Sequence, residues 1–282
     1  PSKSRGLGDV YKRQLYNKMV FIVCKKSRIS SIYHLQAIFG SFDSVVDIKE
    51  IVCREKSFIS EAEYYSNKYQ IPVNSISSEN CYIDLSLENF LVFKQKRISN
   101  LFHKDPFLRR VKNYQRENML KKAISYQAGK PKSILDATAG LGRDGFICAL
   151  LGQEVTMVEE NKGMCILIES ALKRLPNRSY FNDAKNRINV INADSSKIKL
   201  NTEDYDTIYL DPMFSTHSKS MSNKELTFLK TYIDQEQDLV NAFLKKRYKR
   251  LVVKREKSFK SESTKKENII YKGKSINFHV FI

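Results

Sequence analysis

Cysteine and histidine are both scarce in this chain of 282 residues, which has five cysteines and four histidines. The cysteines are odd in number and scattered, and none stands in a C-x-x-C pair. Neither a disulfide framework nor a zinc site is therefore supported, and no metal is expected. Such cysteine usage suits the reducing cytoplasm. The cysteines are Cys24, Cys53, Cys81, Cys148 and Cys165.

Long apolar runs are absent as well. The run Val20–Cys24 after Met19 ends at Lys25 and Lys26, whereas a membrane span needs about 20 apolar residues. It is also too short for the core of a signal peptide. We therefore expect a soluble protein without a membrane segment.

Acidic residues are few relative to basic ones. The chain has 49 Lys and Arg against 31 Asp and Glu, a net charge of +18. This excess indicates a polyanionic partner, although it says nothing about fold, and a generally lysine-rich surface is the alternative. A hydrophobic content of 41% supports a real core.

The sequence predicts three segments. Residues 1–18 contain Gly6–Gln14, which resembles the peptide obtained when sequencing-adaptor DNA is translated, so we expect a non-native tail and a native start at Met19. Residues 19–100 are interpreted as a small N-terminal α/β subdomain for recognition or as a lid. Residues 101–282 are interpreted as the catalytic domain.

Within residues 19–100, patterning predicts strands, one helix and a strand pair. Ala62 and Tyr65 are expected to face inward from the helix. The predicted strands are Met19–Val23 and Val45–Val52, the helix is Ser60–Tyr69, and the paired strands are Cys81–Leu85 and Leu91–Lys96.

From residue 133 onward, predicted strands alternate with helices, which is typical of a doubly wound, mostly parallel α/β sheet. An antiparallel pair around Lys272 and Gly273 is expected to close the sheet, and residues 176–186 are expected to form a loop. The predicted strands are 133–135, 154–158, 189–192, 205–210, 250–253, 268–272 and 276–282, and the helices are 117–126, 162–175 and 225–244.

A glycine turn follows the first of these strands. The sequence Gly140-Leu-Gly-Arg-Asp-Gly145 formally fits G-x-G-x-x-G, and Glu159 lies near the position of the acid that binds ribose in dinucleotide sites. Asp144 argues against a dinucleotide, because an acid at the start of the helix repels a phosphate held there. S-adenosylmethionine (SAM) has no phosphate, so the turn favours SAM.

Four successive strands each end in an acidic or polar cluster, and parallel strands end at the same edge of a sheet. Glu159 is placed to accept hydrogen bonds from ribose hydroxyls, and Asp194 to accept one from the adenine amine. Each alone is equally typical of a solvated loop. Their joint placement predicts a binding crevice.

The sharpest motif is Asp211-Pro-Met-Phe214, which follows an apolar strand. An exocyclic amine of a base is a poor nucleophile, because its lone pair is delocalised into the ring. Accepting its protons at Asp211 and at a carbonyl beside Pro212 frees that lone pair, and Phe214 can stack on the base. A plain Asp-Pro turn before a buried aromatic residue is the alternative.

Four motifs together resemble the RsmJ family of bacterial SAM-dependent methyltransferases, which form N2-methylguanosine in small-subunit ribosomal RNA. The resemblance covers roughly residues 80–282 and implies a class I methyltransferase fold. It also implies SAM contacts at Arg143, Asp144, Glu159, Glu160, Asp194, Ser195 and Asp211. The motifs are residues 136–144, 159–161, 209–214 and 252–255. The chain departs from the family at 108–116, which lacks its glycine and histidine, and after Arg255, where lysines replace its prolines.

The basic residues near these motifs are candidates for binding RNA phosphates without regard to sequence. A solvated basic face is the alternative for each. An enzyme acting on adenine N6 in RNA or DNA, and an RNA-binding module that has lost its chemistry, stay open beside guanosine N2. The expected partner is ribosomal RNA or the small ribosomal subunit. The candidate phosphate ligands are Arg109, Arg110, Arg116, Lys254 and Arg255.

Overall fold

The structure is a computed structural model that describes residues 47–93, 96–104, 106–212, 237–257 and 266–282. Residues 45–282 form one compact unit. Several expectations lie outside the described residues. These are the tail 1–18, the strand Met19–Val23, residues 45–46 of the predicted strand Val45–Val52, Phe214 and residues 225–236 of the predicted helix.

The larger sheet has seven strands in the order β11-β12-β10-β9-β6-β7-β8. Strands β6 to β10 run parallel, and β12 is antiparallel to both β10 and β11. The order reverses at β6, which pairs with β7 on one side and β9 on the other, so the switch point lies beside the glycine turn. The strands are β6 (Ser133–Asp136), β7 (Glu154–Glu159), β8 (Ile188–Asn192), β9 (Thr207–Leu210), β10 (Leu251–Glu256), β11 (Ile269–Lys272) and β12 (Ile276–Phe281). This confirms the predicted doubly wound fold and its closing antiparallel pair.

Helices cover both faces of this sheet because successive strand residues point to opposite sides. On β6, Ile134 packs into one core with Phe146, while Leu135 packs into another with Phe243. The helices are α1 (Ile59–Tyr69), α2 (Leu108–Lys112), α3 (Asn118–Ala123), α4 (Arg143–Leu150), α5 (Lys162–Lys173), α6 (Ser179–Asn186) and α7 (Gln237–Leu244). Short 3-10 turns occur at 56–58, 114–116 and 202–204.

The predicted loop over 176–186 was wrong, because α6 occupies most of it. Phe181 and Ala184, three residues apart, are buried on one side of this helix. The Phe181 ring lies 6.3 Å from that of Phe146 on α4. Tertiary burial against α4 therefore stabilises a helix whose remaining residues are mostly polar.

A smaller sheet of five strands has the order β2-β1-β3-β4-β5. Strand β1 is parallel to β2 and β3, and β3 to β5 form an antiparallel meander. The predicted helix is confirmed as α1, with Ala62 and Tyr65 buried. The predicted strand 91–96 is instead divided between two strands. The strands are β1 (Glu50–Cys53), β2 (Val73–Asn74), β3 (Cys81–Leu85), β4 (Phe90–Phe93) and β5 (Lys96–Ser99).

Helix α5 lies between the two sheets. Its residues 164–167 share a core with the five-stranded sheet, while Ile168, Ala171 and Leu172 pack into the core of the larger sheet. Arg174, just after the helix, pairs with Glu61 of α1 at 2.9 Å and donates to the Ser86 carbonyl. The smaller sheet is therefore fixed to the helix that follows β7.

Candidate active site

The carboxyl ends of β6, β7, β8 and β9 meet at one edge of the larger sheet. Registers of the parallel pairs place Asp136 opposite Met157 and Tyr209, and Glu159 opposite Asn192. The polar residues that end these strands therefore line one crevice, as in other open α/β sheets.

The turn after β6 depends on its glycines for different reasons. Gly140 and Gly142 have φ values of +54° and +68°, which side chains rarely adopt. A Cβ at Gly142 would also lie 3.1 Å from the Met157 sulfur. At Gly140 a Cβ would meet no atom within 4 Å. Gly142 thus lets the turn pack closely against Met157 of β7, whereas Gly140 borders open space.

Glu159, the last residue of β7, is buried beneath this turn. Its carboxylate accepts hydrogen bonds from the backbone N–H of Gly140 at 2.8 Å and of Asn161 at 2.9 Å. Burial raises the pKa of Glu159 to about 7, against the opposing effect of these N–H donors. No cation pairs with this carboxylate among the described residues. Further hydrogen-bond donors, such as hydroxyls, would stabilise its ionised form.

Glu160, Asp194 and Ser195 lie at the ends of β7 and β8. Glu160 is exposed, and partial burial together with the Asp194 charge raises its pKa. Asp194 accepts from the backbone and side chain of Ser196 at 2.9 and 2.6 Å and pairs with exposed Lys197 at 2.7 Å. Ser195 is buried in the same turn. The structure thus brings these three residues and Glu159 to one side of the crevice.

Asp144, in the first turn of α4, is held by three partners on the other side. Arg110 Nη1 lies 2.5 Å from Oδ1, and Lys254 Nζ lies 2.8 Å from Oδ2. The Tyr209 hydroxyl donates to Oδ2 as well. Burial alone would raise the pKa of Asp144, but the charges of Lys254 and Arg110 outweigh it and hold the pKa well below its usual range. The predicted SAM contact is thus the centre of an ion-pair network.

Asp211 follows β9 and completes this network. Its Oδ2 lies 2.5 Å from Lys254 Nζ, and its backbone N–H donates to the Thr138 hydroxyl at 2.6 Å. Pro212 is buried directly after it. The Thr138 contact fixes the end of β9 to the glycine turn, so the two strongest sequence motifs are adjacent in space.

Two predicted phosphate ligands are engaged inside the protein instead. Lys254 lies between Asp144 and Asp211, and its side chain is 20% exposed. Arg110 also pairs with Glu117 at 2.7 Å. A phosphate would have to displace carboxylates from both cations, so the assignment of Lys254 and Arg110 to phosphate binding is revised.

The remaining predicted residues divide by exposure. Arg109 and Arg116 are exposed, as a phosphate contact requires. Arg255 points to the opposite face of β10 from Lys254 and is buried, which lowers its pKa, so its assignment is revised too. Arg143 is half-buried at the start of α4, with its guanidinium 5.7 Å from the centre of the Phe107 ring.

Four site residues were missed from the sequence: Asp136, Tyr209, Thr138 and Glu117. Burial raises the pKa of Asp136 well above its usual range, and the Asp144 charge adds to that effect. Asp136 ends β6 just as Glu159 ends β7, so the rule of acids at strand ends could have identified it. Nothing in the sequence marks the hydroxyl of Tyr209 as a partner of Asp144.

Comparison with known proteins decides the class of this crevice. Residues 73–282 match a family described as "Putative SAM-dependent methyltransferase". The chain belongs to this family.

Relatives of this chain carry a more specific name. A protein of Coxiella burnetii named ribosomal RNA small subunit methyltransferase J is 32% identical over 173 residues, covering 59% of this chain and 67% of that protein. A protein of the same name from Francisella tularensis is 29% identical and covers 71% of this chain and 86% of that protein. The resemblance drawn from the four motifs is confirmed.

The methyltransferase fold is also found in a solved relative. A SAM-dependent methyltransferase from Neisseria gonorrhoeae superposes with a TM-score of 0.61 at 22% identity, over 84% of this chain and 96% of that one. This likeness confirms the α/β fold.

The crevice fits the cofactor of a SAM-dependent methyltransferase. Ribose hydroxyls and the adenine amine are hydrogen-bond donors, and Glu159 and Asp194 are acceptors at adjacent strand ends. The space beside Gly140 admits a ligand to the backbone of the turn. Within the described ranges, no cluster of His, Cys, Asp and Glu could hold a metal ion, and no helix is both long and apolar enough to cross a membrane.

Proposed function

We propose that this methyltransferase transfers a methyl group from SAM to the N2 amine of a guanosine in small-subunit ribosomal RNA, in the cytoplasm. The contact of Asp211 with the glycine turn carries the proposal, because it sets a proton-accepting carboxylate beside the cofactor crevice. The names of the relatives from Coxiella and Francisella support the substrate. The net charge of +18 supports a polyanionic substrate.

The proposed roles follow from the two sides of the crevice. Glu159 and Asp194 hold the ribose and adenine of SAM, with Glu160, Ser195 and Arg143 as further contacts. Asp211 accepts hydrogen bonds from the target amine, so that its lone pair is directed towards the methyl group. SAM supplies an electrophilic methyl group on a positively charged sulfur. Asp144 acts through its ion pairs rather than by direct contact.

The exposed arginines support binding of RNA. Arg109 and Arg116 flank a half-buried Tyr114, and we propose that both contact backbone phosphates. Phosphate contacts position the RNA without selecting a sequence. Phe214, as a stacking platform for the target base, stays a prediction.

The proposal is tested with the full chain and tritiated SAM. Substrates are small ribosomal subunits and naked ribosomal RNA from a strain that lacks the methylation, and digested nucleosides are identified by mass spectrometry. We expect N2-methylguanosine that disappears with Asp211→Asn. Methyl groups on adenine N6 would overturn the choice of base. SAM binding without transfer to any RNA would overturn the proposed reaction.

A further inference from the structure

A continuous chain of ion pairs, formed by side chains of alternating charge, crosses the side of the crevice that contains Asp144 and Asp211. This side is called the reaction side below. The chain of ion pairs begins at Glu117, which accepts from Arg110 at 2.7 Å. Arg110 donates to one oxygen of Asp144, and Lys254 donates to the other at 2.8 Å. Lys254 then reaches Asp211 at 2.5 Å. A surface segment before α3 is thus linked to the carboxylate beside the cofactor crevice.

The centre of this chain is poorly exposed to solvent. The side chains of Asp144 and Lys254 are 8% and 20% exposed, whereas that of Asp211 is 39% exposed. Ion pairs that are removed from water are screened little by salt, so the attraction between their charges stays strong. The chain of ion pairs is therefore shielded from solvent at Asp144 and open to solvent at its Asp211 end.

Lys254 occupies only one oxygen of Asp211. Its Nζ contacts Oδ2, while Oδ1 accepts no hydrogen bond from the described part of the chain. The backbone N–H of Asp211 is fixed separately by Thr138. One oxygen is therefore bound to a cation and the other is available to a substrate.

We propose that Lys254 is a positioning residue for methyl transfer, holding Asp211 ionised and orienting its second oxygen towards the target amine. Asp144 holds Lys254 in turn, and Arg110 and Tyr209 hold Asp144. This inference rests on the proposed function, because it takes Asp211 as the group that contacts the amine. It assigns Lys254 a role different from phosphate binding.

The charge of Lys254 matters because it separates two carboxylates. Without it, Asp144 and Asp211 would face each other across the gap that Nζ fills. Repulsion between two neighbouring carboxylates raises the pKa of one of them. Burial already raises the pKa of Asp211, and the charge of Lys254 opposes this effect. Without Lys254, Asp211 would be protonated at a still higher pH, and a protonated carboxyl is a poorer acceptor for the amine.

The experiment compares Lys254→Met with Lys254→Arg and with Lys245→Met as a control. Lys245 is an exposed lysine directly after α7, in the segment that leads into the start of β10, and so lies at the opposite edge of the sheet. Methyl transfer is measured across pH at saturating SAM and RNA. Lys254→Met should lower kcat about 100-fold and shift the acidic limb of the profile to higher pH. The conservative variant Lys254→Arg should have a kcat at least about tenfold higher than that of Lys254→Met. The control Lys245→Met should behave as wild type.

RNA binding separates positioning from phosphate contact. A lost phosphate contact reduces the slope of log affinity against log salt by about one and raises KM. We expect Lys254→Met to change neither. A smaller slope with an unchanged kcat would overturn the inference and restore the phosphate role.

A readout without turnover keeps the test independent of the proposed function. Aspartate labelled with carbon-13 at the carboxyl is titrated by NMR, with Asp211 assigned from its loss in Asp211→Asn. Its pKa should be higher in Lys254→Met than in wild type by about one pH unit or more. An unchanged value overturns the inference, whereas a wild-type chain that transfers no methyl group overturns only the proposed function. If melting shows Lys254→Met to be unfolded, Arg110→Met should raise the pKa of Asp211 in the same direction by less, and no change there would also overturn the inference.

Discussion

At the end of β7, Glu159 lies buried with backbone N–H groups as partners, whereas beside β9 and β10 Asp144 lies equally buried between two cations. The exposed fractions are 8% and 7%. Burial raises the pKa of Glu159 to about 7, but cations hold that of Asp144 far below its usual range. Burial alone therefore does not set the state of a carboxylate at this edge; the charge of its partners does.

This difference separates the two tasks of the crevice. A carboxylate held by neutral donors gains stability when hydroxyls bind it, so the β7 side responds to its ligand. A carboxylate between cations has its charge already compensated, so the β9–β10 side keeps its geometry with or without a ligand. We therefore expect the cofactor side to respond to its ligand and the reaction side to keep its geometry.

The largest effect is expected on the reaction side. Asp211→Asn keeps the shape of the side chain but removes the charge that accepts the amine protons. Methyl transfer should fall about 1,000-fold in a single-turnover assay. Unchanged melting and RNA binding would serve as controls, and a loss of less than tenfold would contradict the role of Asp211.

On the cofactor side, the affinity for SAM should rise with pH through about 7, the pKa of Glu159. Hydroxyl donors bind the ionised carboxylate, so binding below that pH releases a proton and is weaker. Calorimetry in two buffers of different ionisation enthalpy measures the release. Glu159→Gln should lower the affinity at pH 8 by about tenfold or more and abolish the dependence on pH.

The matched control for this titration is Glu203→Gln. Glu203 is an exposed residue in the turn that precedes β9, away from the carboxyl ends of the strands. It should leave both the affinity and its pH dependence as in wild type. A pH dependence that persists in Glu159→Gln would assign the titration to another group.

The glycine turn that joins the two sides should be sensitive to added volume. Gly142→Ala strains a positive φ and brings a Cβ within 3.3 Å of Met157 and Ile168. Gly152→Ala strains a φ of +83° with no atom within 4 Å. Each should lower the free energy of unfolding by about 1–2 kcal/mol from the backbone. Chemical denaturation should show an additional loss of about 1 kcal/mol for Gly142→Ala alone, and equal losses would contradict close packing at Gly142.

The smallest effects are expected at the exposed arginines. Arg116→Gln and Arg109→Gln should each weaken RNA binding about two- to fivefold and reduce its salt slope by about one. Filter binding at several salt concentrations measures both quantities. Lys245→Gln removes an equal charge at the opposite edge of the sheet and should leave the slope unchanged.

The sheet was predictable from the sequence because its strands are buried apolar runs that end in acids. The helix α6 was not, since its sequence is mostly polar and only its packing against α4 buries Phe181. A division at residue 100 stays a prediction. Strand β5 ends at Ser99, and Phe102 already belongs to the core of the larger sheet.

The site was predictable where one strand supplies the residue, and not where distant residues meet. Glu159 and Asp211 follow from the strand-end rule. The strand-end rule does not predict the partners of Lys254, because Asp211 and Asp144 lie 43 and 110 residues from Lys254 along the chain. A lysine beside an arginine in a basic protein indicates phosphate binding until the fold shows which acids surround it.

The helix between the two sheets links their stabilities. Helix α5 begins directly after Glu159-Glu160-Asn161, and a Cβ at Gly163 would already lie 3.0 Å from Leu91 of the smaller sheet. Local unfolding of the five-stranded sheet would therefore expose one side of α5 and destabilise the turn that contains the hydrogen-bond partners of Glu159. Amide hydrogens of β3 and β4 should accordingly exchange more slowly when SAM is bound. The stability of the five-stranded sheet and the affinity for SAM are therefore coupled. A change that destabilises this sheet should also weaken cofactor binding.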